Sequence, residues 1–249
     1  TESGYKNPLG TVNEGWGEVF MGATMESVLV GYNDPRLIKY YSKAEGGDIK
    51  DEKGNLIIAE RNKIAGTYKG VPQGTGVTVK DENRYRLHSK STITKQTDAI
   101  LMTAAEVWFL RAEAALRGFT SENVKDCYEK GITVSCQQWG VNVGDYLTSD
   151  ATPSDYVDAF EAKYDVKALI KVTPKWDGGA SPEEQLERIL TQKWIACYPE
   201  GYEAWTEQRR TGYPQLFKVF VNNSGGAIDT NIRCLLYTSP SPRDVEESR

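Results

Sequence analysis

An all-α, mostly helical fold is predicted by three features of the sequence. Two segments, 103–118 and 181–197, carry apolar residues at helical spacing and begin with residues that cap helices. The 249-residue chain is 39% hydrophobic and contains 6 Trp and 14 Tyr, which is enough for a sizeable core. Elsewhere Gly and Pro recur at short intervals, so long irregular loops and at most a small β-hairpin are expected.

The first hundred residues contain only short elements. A helical pattern covers residues 23–30 and ends at residues 31–36, where Asn-Asp-Pro predicts a structural turn. Residues 51–58 have the composition of a turn that leads into a short strand, which predicts a surface hairpin. This part of the chain is therefore expected to be rich in loops.

The clearest helix starts at Thr103. Thr103 and Glu106 have capping-box spacing, in which the threonine accepts from the Glu106 N–H and the glutamate carboxylate reaches back. Val107, Leu110 and Ala114 follow one apolar stripe, and the helix is predicted to be buried. The stripe is broadened by Trp108, Ala112, Ala115 and Leu116. A glycine at position 118 offers the helix a left-handed end.

A second helix is predicted immediately afterwards. Ser121 is its expected cap, and Gly140 ends an apolar pattern that contains Val124, Cys127, Tyr128, Ile132 and Trp139. With the preceding helix it makes a helical hairpin similar to the tetratricopeptide unit of about 34 residues. One such unit cannot bury its own faces, so further hairpins are expected.

Another hairpin is predicted near the end of the chain. Ser181 supplies an N-cap, Pro182 the first helical residue and Glu184 the third, and Pro199 ends the pattern. A second helix then covers residues 202–210 and is closed by Gly212. One more short helical pattern spans residues 154–164.

Composition excludes several classes of function. The formal charge is -5 and no block of like charges occurs, so no nucleic-acid partner is expected. The cysteines lack metal-ligand spacing, and the single His88 has no nucleophile motif beside it, so neither a metal site nor a catalytic triad is predicted. Nucleotide-binding glycine motifs are also missing, and no cofactor is expected.

Five segments together resemble the SusD/RagB family of outer-membrane lipoproteins. Two of them resemble signature segments of the family: residues 102–118, MTAAEVWFLRAEAALRG, and residues 190–196, LTQKWIA. Residues 203–214, EAWTEQRRTGYP, follow them, whereas residues 31–36 and 68–71 precede them, in the order of the family. The resemblance covers nearly all of residues 4–233.

The resemblance implies a non-enzymatic protein on the surface of a Gram-negative bacterium. Such proteins capture oligosaccharides, or in some relatives peptides, and deliver them to a SusC-like TonB-dependent transporter in the outer membrane. They are tethered to the membrane by an N-terminal lipid anchor, and they are about twice as long as this chain. Residues 1–233 are therefore interpreted as the C-terminal part of one SusD-like domain.

The last residues have a different interpretation. Residues 234–244, CLLYTSPSPRD, resemble an in-frame translation of an adapter used in preparing DNA sequencing libraries. Residues 234–249 are therefore expected to be a non-native tail.

Sugar recognition requires flat aromatic faces with amide or carboxylate groups nearby, displayed on loops of a rigid scaffold. Trp16, in the segment that runs from Asn13 to Gly17, is flanked by glycines that permit close approach of a ligand. Trp176 lies in a polar, turn-like segment. Asn13, Trp16 and Trp176 are the predicted ligand-binding residues, and the alternative for each tryptophan is a plug of the scaffold beneath a loop.

Two other functions remain open from the residues alone. A generic helical-repeat module that binds proteins would show the same hairpins. A carbohydrate-active enzyme would need two carboxylates about 5–10 Å apart, and Glu106 and Glu113 are explained by capping and by a pair with Arg117 instead. Glycan capture is the leading hypothesis.

Overall fold

The computed structural model describes residues 6–17, 19–76 and 83–225, and this part of the chain is mainly helical. Seven α-helices and one two-stranded sheet occur in it. The helices are α1 (Pro8–Trp16), α2 (Ala23–Gly31), α3 (Leu37–Tyr40), α4 (Ala104–Leu116), α5 (Val124–Gln138), α6 (Pro182–Ala196) and α7 (Gly201–Thr211). The strands are β1 (Ile49–Lys50) and β2 (Leu56–Ile58). The all-α prediction with its small hairpin is confirmed.

The sheet is the surface hairpin that the sequence predicts. β1 and β2 are antiparallel, with Ile49 opposite Ile58. The Asp51 side chain closes the turn between them, because its Oδ1 accepts from the backbone N–H of Lys53 and of Asn55 at 2.9 and 2.7 Å. Ile49 is fully buried in a small second core, so the hairpin is tied to the body at that strand.

Helices α4 and α5 form the first helical hairpin, and α6 packs against both. Phe109 of α4 is buried against α5, where a Cβ on Gly131 would lie only 2.8 Å from its ring. Glycine at this position therefore allows the two helices to approach closely. The main core lies between these helices and α2.

The caps of these helices are partly as predicted. Thr103 accepts from the Glu106 N–H at 3.1 Å, but the reciprocal bond is not part of this cap. Instead the Glu106 carboxyl faces Glu203 of α7, and burial together with that neighbouring carboxylate raises the pKa of Glu106. The cap of α5 is Asn123 rather than Ser121, since its side chain accepts from the Asp126 N–H. The full capping box of α6 is confirmed.

The centre of the apolar stripe predicted for α4 is not the face that enters the core, although Ala112 of the broadened stripe is buried. Val107 and Leu110 are 40% and 39% exposed, whereas Ala105, Phe109 and Ala112 are buried. Both faces of α4 are apolar, so periodicity alone does not identify the inner one. The inner face is set by contact with α5 and α6.

The helix predicted over residues 154–164 is also wrong, apart from a short 3-10 turn at Ala162–Tyr164. Tyr156 pairs with Val166 through two backbone hydrogen bonds, which requires an extended backbone. Asp158 is fully buried and its Oδ1 accepts from the N–H groups of Phe160 and Glu161. Its side chain thus satisfies donors that a helix would use internally.

A buried ion pair connects the turn after α2 to the helical hairpins. Arg36 is 0% exposed, and its Nη2 lies 2.6 Å from Oδ2 of Asp34. Nε of Arg36 donates to the other Asp34 oxygen at 2.9 Å, and the guanidinium also donates to Ser135 of α5 at 3.0 Å and to Gln192 of α6 at 2.9 Å. Burial by itself lowers the pKa of Arg36, but the Asp34 carboxylate outweighs it and holds that pKa above its usual value. The turn is structural, as predicted.

Two tyrosines hold an irregular segment, residues 170–176, against the core. The Tyr32 hydroxyl donates to the Val172 carbonyl and the Tyr128 hydroxyl donates to the Pro174 carbonyl, both at 2.6 Å. The segment has no regular structure, so these bonds replace a helix or sheet ladder as its anchor.

A second set of charges joins α4 to α7. Arg210 donates to both oxygens of Glu113 at 2.7 and 2.6 Å, and Arg117 donates to Glu113 at 2.8 Å. Burial raises the pKa of Glu113, but these hydrogen bonds from the two arginines outweigh it and lower the pKa. The predicted pair of Glu113 with Arg117 is confirmed, and it is part of a larger network of ion pairs that includes Arg210.

The predicted division at residue 233 and the predicted tail at residues 234–249 lie outside the described residues, so both stay predictions. Within the described part, no helix combines the length and the hydrophobicity needed to cross a bilayer.

We expect Arg36→Met to lower the free energy of unfolding by about 3–5 kcal/mol, because it leaves the buried Asp34 carboxylate without a cation. Urea unfolding followed by circular dichroism measures this change. Lys167→Ala is the matched control, since Lys167 is paired with Asp155 at the surface and is 88% exposed. The free energy of unfolding of the control should fall by less than about 1 kcal/mol. Equal losses in the two variants would contradict a central role for Arg36.

We expect Glu113→Gln to lower the free energy of unfolding at pH 7 by roughly 1–3 kcal/mol. The folded-state pKa of Glu113 is depressed, so its contribution is present above the unfolded pKa and is lost as the pH falls through the folded pKa. The difference between variant and parent should therefore shrink below about pH 4. Glu129→Gln, which weakens a looser 3.8 Å pair with Lys125, is the control. A difference as large at pH 3 as at pH 7 would refute the assignment.

Candidate functional site

Trp16 is the last residue of α1, not part of a loop as its flanking glycines predicted. Asn7 caps this helix by accepting from the Leu9 N–H at 2.9 Å, and Pro8 occupies the first turn. Gly17 ends it with a left-handed backbone at φ 65°. The Asn-Pro pair was the signal for a helix start, but two internal glycines obscured the pattern.

The Trp16 side chain belongs to a row of exposed apolar groups. Leu9, Val12 and Trp16 are 46%, 48% and 67% exposed, and their spacing of three and four residues places them on one face of α1. The ring of Trp16 is thus accessible to a ligand. Together with Leu9 and Val12, the Trp16 ring also forms an exposed apolar surface of the kind that contacts apolar partners.

Asn13 lies on the side of α1 that faces the protein. Its Nδ2 donates to the backbone carbonyls of Ser91 and Ile93 at 2.9 and 2.8 Å. One turn earlier, a Cβ on Gly10 would lie 2.0 Å from the Thr94 carbonyl, so the helix is pressed against this segment. Both donor hydrogens of Asn13 therefore hold α1 in place, and its Oδ1 receives no bond from the described residues.

Trp176 lies in an irregular segment, as predicted, and is half-buried. Its ring packs on Tyr128 with centroids 5.2 Å apart and an interplanar angle of 47°. Tyr128 is itself fully buried and bonded to the Pro174 carbonyl, two residues before Trp176. One side of the Trp176 ring is therefore supported by the core.

An open cleft of about 510 Å³ lies beside Trp176. The start of α5, the turn after Trp176 and the first turns of α6 form it, and its lining residues are Asn123, Val124, Lys125, Trp176, Gly178 and Gln185. Gln185 closes the turn by donating to the carbonyls of residues 177, 178 and 180 at 3.2–3.3 Å. The cleft is thus built on two helix ends and a braced turn.

Two polar groups of this cleft retain donor capacity. Asn123 uses its Oδ1 to cap α5, and no described residue accepts from its Nδ2. Lys125 is 54% exposed, and its Nζ is 3.8 Å from Glu129. An aromatic face with an amide and an ammonium group beside it suits a polyhydroxylated ligand.

The structure does not bring the predicted site residues into one cleft. Asn13 and Trp16 are both on α1, and no residue of α1 lines the cleft beside Trp176. They are consequently two separate surfaces.

A larger cleft, about 820 Å³, was not anticipated from the sequence. Its walls are mainly apolar, with Ile38 61% exposed, and Tyr68, Asn33 and Asn142 add polar groups. It forms where the turn after α2 meets residues 140–142, which follow α5. No local pattern signals it, because its two sides are about a hundred residues apart in the chain.

Nucleophilic or metal chemistry has no support among the described residues. His88 is buried against Tyr85 and Phe160, neither of its ring nitrogens has a partner, and burial with the nearby Lys69 charge lowers its pKa to about 3. Burial raises the pKa of the Cys197 thiol to about 12. In the described ranges no cluster of His, Cys, Asp and Glu has the arrangement of a metal site.

The described part of the chain is thus a tetratricopeptide-like stack of helical hairpins that carries loops and open clefts. The chain belongs to the SusD-like family, since the model for "Susd and RagB outer membrane lipoprotein" matches residues 1–247. No curated protein sequence matches it.

Solved structures of SusD homologues share the fold. A homologue from Bacteroides vulgatus is 50% identical, with a TM-score of 0.81, over 93% of this chain and 45% of that one. A chitin-binding homologue from Flavobacterium johnsoniae is 36% identical, with a TM-score of 0.77, over 93% and 45% of the two chains. A homologue from Bacteroides uniformis is 30% identical, with a TM-score of 0.76, over 99% and 50%. The chain spans about half the length of these structures.

We expect Asn13→Ala to loosen α1 without unfolding the protein. Loss of two hydrogen bonds worth about 1 kcal/mol each should speed amide hydrogen exchange in residues 9–17 by roughly 10- to 30-fold. Val12→Ala, on the exposed face of the same helix, is the control and should change exchange less than about threefold. Unchanged exchange in the Asn13 variant would show that its amide does not anchor the helix.

Proposed function

We propose that this chain is part of a cell-surface lipoprotein that captures oligosaccharides and delivers them to a SusC-like TonB-dependent transporter in the outer membrane. Membership in the SusD/RagB family supports the surface location and the lipid anchor. The F. johnsoniae relative is described as chitin-binding, which supports a glycan as the ligand. The observation that carries the proposal is the supported Trp176 ring beside an open cleft.

Trp176 is proposed to stack on the apolar C–H face of a sugar ring. Stacking requires an aromatic face that stays in place when the ligand arrives, and Tyr128 supplies that support. The Asn123 amide and the Lys125 ammonium group are placed to donate to sugar hydroxyls. A preorganised site of this kind avoids much of the entropic cost of ordering side chains on binding.

Trp16 and Asn13 are proposed as a second, separate contact. The exposed Trp16 ring offers another stacking face, and the Asn13 Oδ1 is an acceptor for a hydroxyl. A long oligosaccharide, or two arms of a branched one, would be needed to engage both surfaces. We therefore expect Trp176 to contribute more than Trp16 to the binding of short oligosaccharides.

The proposed role is non-enzymatic and needs no cofactor or metal. Capture followed by release to a transporter requires reversible, non-covalent contacts, which stacking and hydrogen bonding supply. The buried and unpartnered state of His88 is consistent with that role.

A protein-interaction module is the second candidate. The exposed apolar row Leu9, Val12 and Trp16 on α1 favours it, because such rows occur where helices dock on partners. Glycan capture has the stronger support, since the cleft beside Trp176 combines a concave shape with an aromatic wall.

We expect Trp176→Ala to weaken oligosaccharide binding at least about tenfold, or ~1.4 kcal/mol, in isothermal titration calorimetry. Chitin-derived oligosaccharides are the first probes, followed by a broad panel of other glycans. Trp16→Ala should weaken the binding of longer ligands only.

Tyr202→Ala is the matched control for an exposed aromatic residue, since Tyr202 is 86% exposed. It lies at the start of α7, beyond the C-terminal end of α6, and is not among the residues that line the cleft at the other end of α6. Absence of heat across the whole glycan panel would favour the interaction module. Product release from a polysaccharide would instead favour an enzyme.

A further inference from the structure

Helix α7 is attached to the body of the protein mainly through charged side chains. The residues that it buries are Glu207 and Gln208, whereas its Tyr202 is 86% exposed. In the described part of the chain, no residue of α7 belongs to a hydrophobic core cluster. A surface helix usually buries an apolar face instead. Burial of apolar surface therefore contributes less to the attachment of α7 than to that of α4, α5 and α6.

Two cations fasten α7 to its neighbours. Lys193 of α6 is buried, and its Nζ lies 2.9 Å from Glu203 and 3.4 Å from Glu207. Arg210 of α7 donates to both oxygens of Glu113 on α4 and also to Glu207. The contacts that cross from α7 to α4 and α6 are charge-assisted and directional, so they are lost together when the helix moves away.

The same interface contains two features that oppose the attachment. The carboxyl group of Glu106 on α4 faces that of Glu203, and these two like charges repel each other. The Oε1 of the buried Gln208 accepts no hydrogen bond from the described residues. Water would satisfy this acceptor if α7 moved outward. Opening of α7 therefore relieves both costs.

Both flanks of α7 are tied to the core, so the helix can move outward while its ends stay in place. Before the helix, the Tyr198 hydroxyl donates to the Tyr40 carbonyl at 2.9 Å. After it, Phe217 is buried and its N–H donates to a threonine of α2 at 3.1 Å. Gly201 begins the helix and Gly212 follows it with a left-handed backbone at φ 84°. Glycines tolerate the changes in backbone angle that a hinge requires.

A small cavity of about 120 Å³ lies beside α7. Gly201 and Ala204 of α7 contribute to its lining, together with Met25, Trp194 and Cys197 from the body. Cys197 is only 3% exposed. Outward movement of α7 would open this cavity to water and uncover the Cys197 thiol.

We propose that α7 is a hinged strap, held closed by ion pairs, that opens while the stack of α4, α5 and α6 stays folded. Opening exposes the apolar cavity between α2 and α6. The proposal does not depend on glycan binding.

The test is thiol labelling of the 249-residue chain with N-ethylmaleimide under native conditions. Peptide mass spectrometry follows each cysteine separately, and each rate is divided by the rate of the same cysteine in the denatured chain. At low reagent concentration reclosing outpaces labelling, so this ratio measures the population of the open state. Cys136 of α5 is 1% exposed in the main core and is the reference for global unfolding. We expect the Cys197 ratio to exceed the Cys136 ratio at least about tenfold.

Arg210→Gln should raise the Cys197 ratio at least about tenfold, because it removes the charged bonds to Glu113 and Glu207. The Arg210 side chain is 43% exposed, so the variant leaves the core packing intact. Arg209→Gln is the matched control on the same helix, since the Arg209 guanidinium packs on the Trp205 ring of α7 itself at 4.5 Å. It should change the ratio less than about threefold.

Equal ratios for Cys197 and Cys136 in the parent chain would overturn the proposal, because α7 would then open only when the whole protein unfolds. A Cys197 ratio that responds to neither arginine variant, or to both alike, would also overturn it, because ion pairs would then not hold the strap closed.

Discussion

The guanidinium of Arg36 is fully buried, and the arrangement of three parts of the fold depends on how its charge is compensated. Asp34 supplies the opposite charge from the same turn, while Ser135 and Gln192 supply acceptors from α5 and α6. Gln192 also donates to the Tyr146 hydroxyl. A desolvated cation is costly unless an opposite charge and further acceptors compensate it, so a shift of α5 or α6 would remove an acceptor from the buried guanidinium.

The sequence predicts the fold well where local signals are strong. Ser181 and Glu184 specify the start of α6 through short-range hydrogen bonds, and such bonds need no information from elsewhere in the chain. The sequence did not identify the inner face of α4, because Phe109 and Leu110 are both strongly apolar. Only contact with α5 determines which of the two is buried. The helix prediction for residues 154–164 was wrong for a related reason, since the backbone of Tyr156 pairs with that of Val166, which lies outside the predicted helix.

The candidate site likewise has one feature that the sequence predicts and others that it does not. The turn character of the segment around Trp176 follows from its polar and glycine-rich composition. The presence of the cleft does not follow from local composition, because its other wall, Asn123 to Lys125, is about fifty residues earlier in the chain. Tertiary packing also decides what Asn13 does, since its amide is turned toward backbone carbonyls of residues 91 and 93.

The anchoring of residues 170–176 has a consequence for how the protein changes over evolutionary time. Tyr32 and Tyr128 bond to main-chain carbonyls, which every amino acid possesses. Substitutions of exposed side chains in this segment therefore leave the path of the backbone unchanged. The scaffold separates the placement of the segment from its chemical identity, so new surface chemistries can arise there without a new fold.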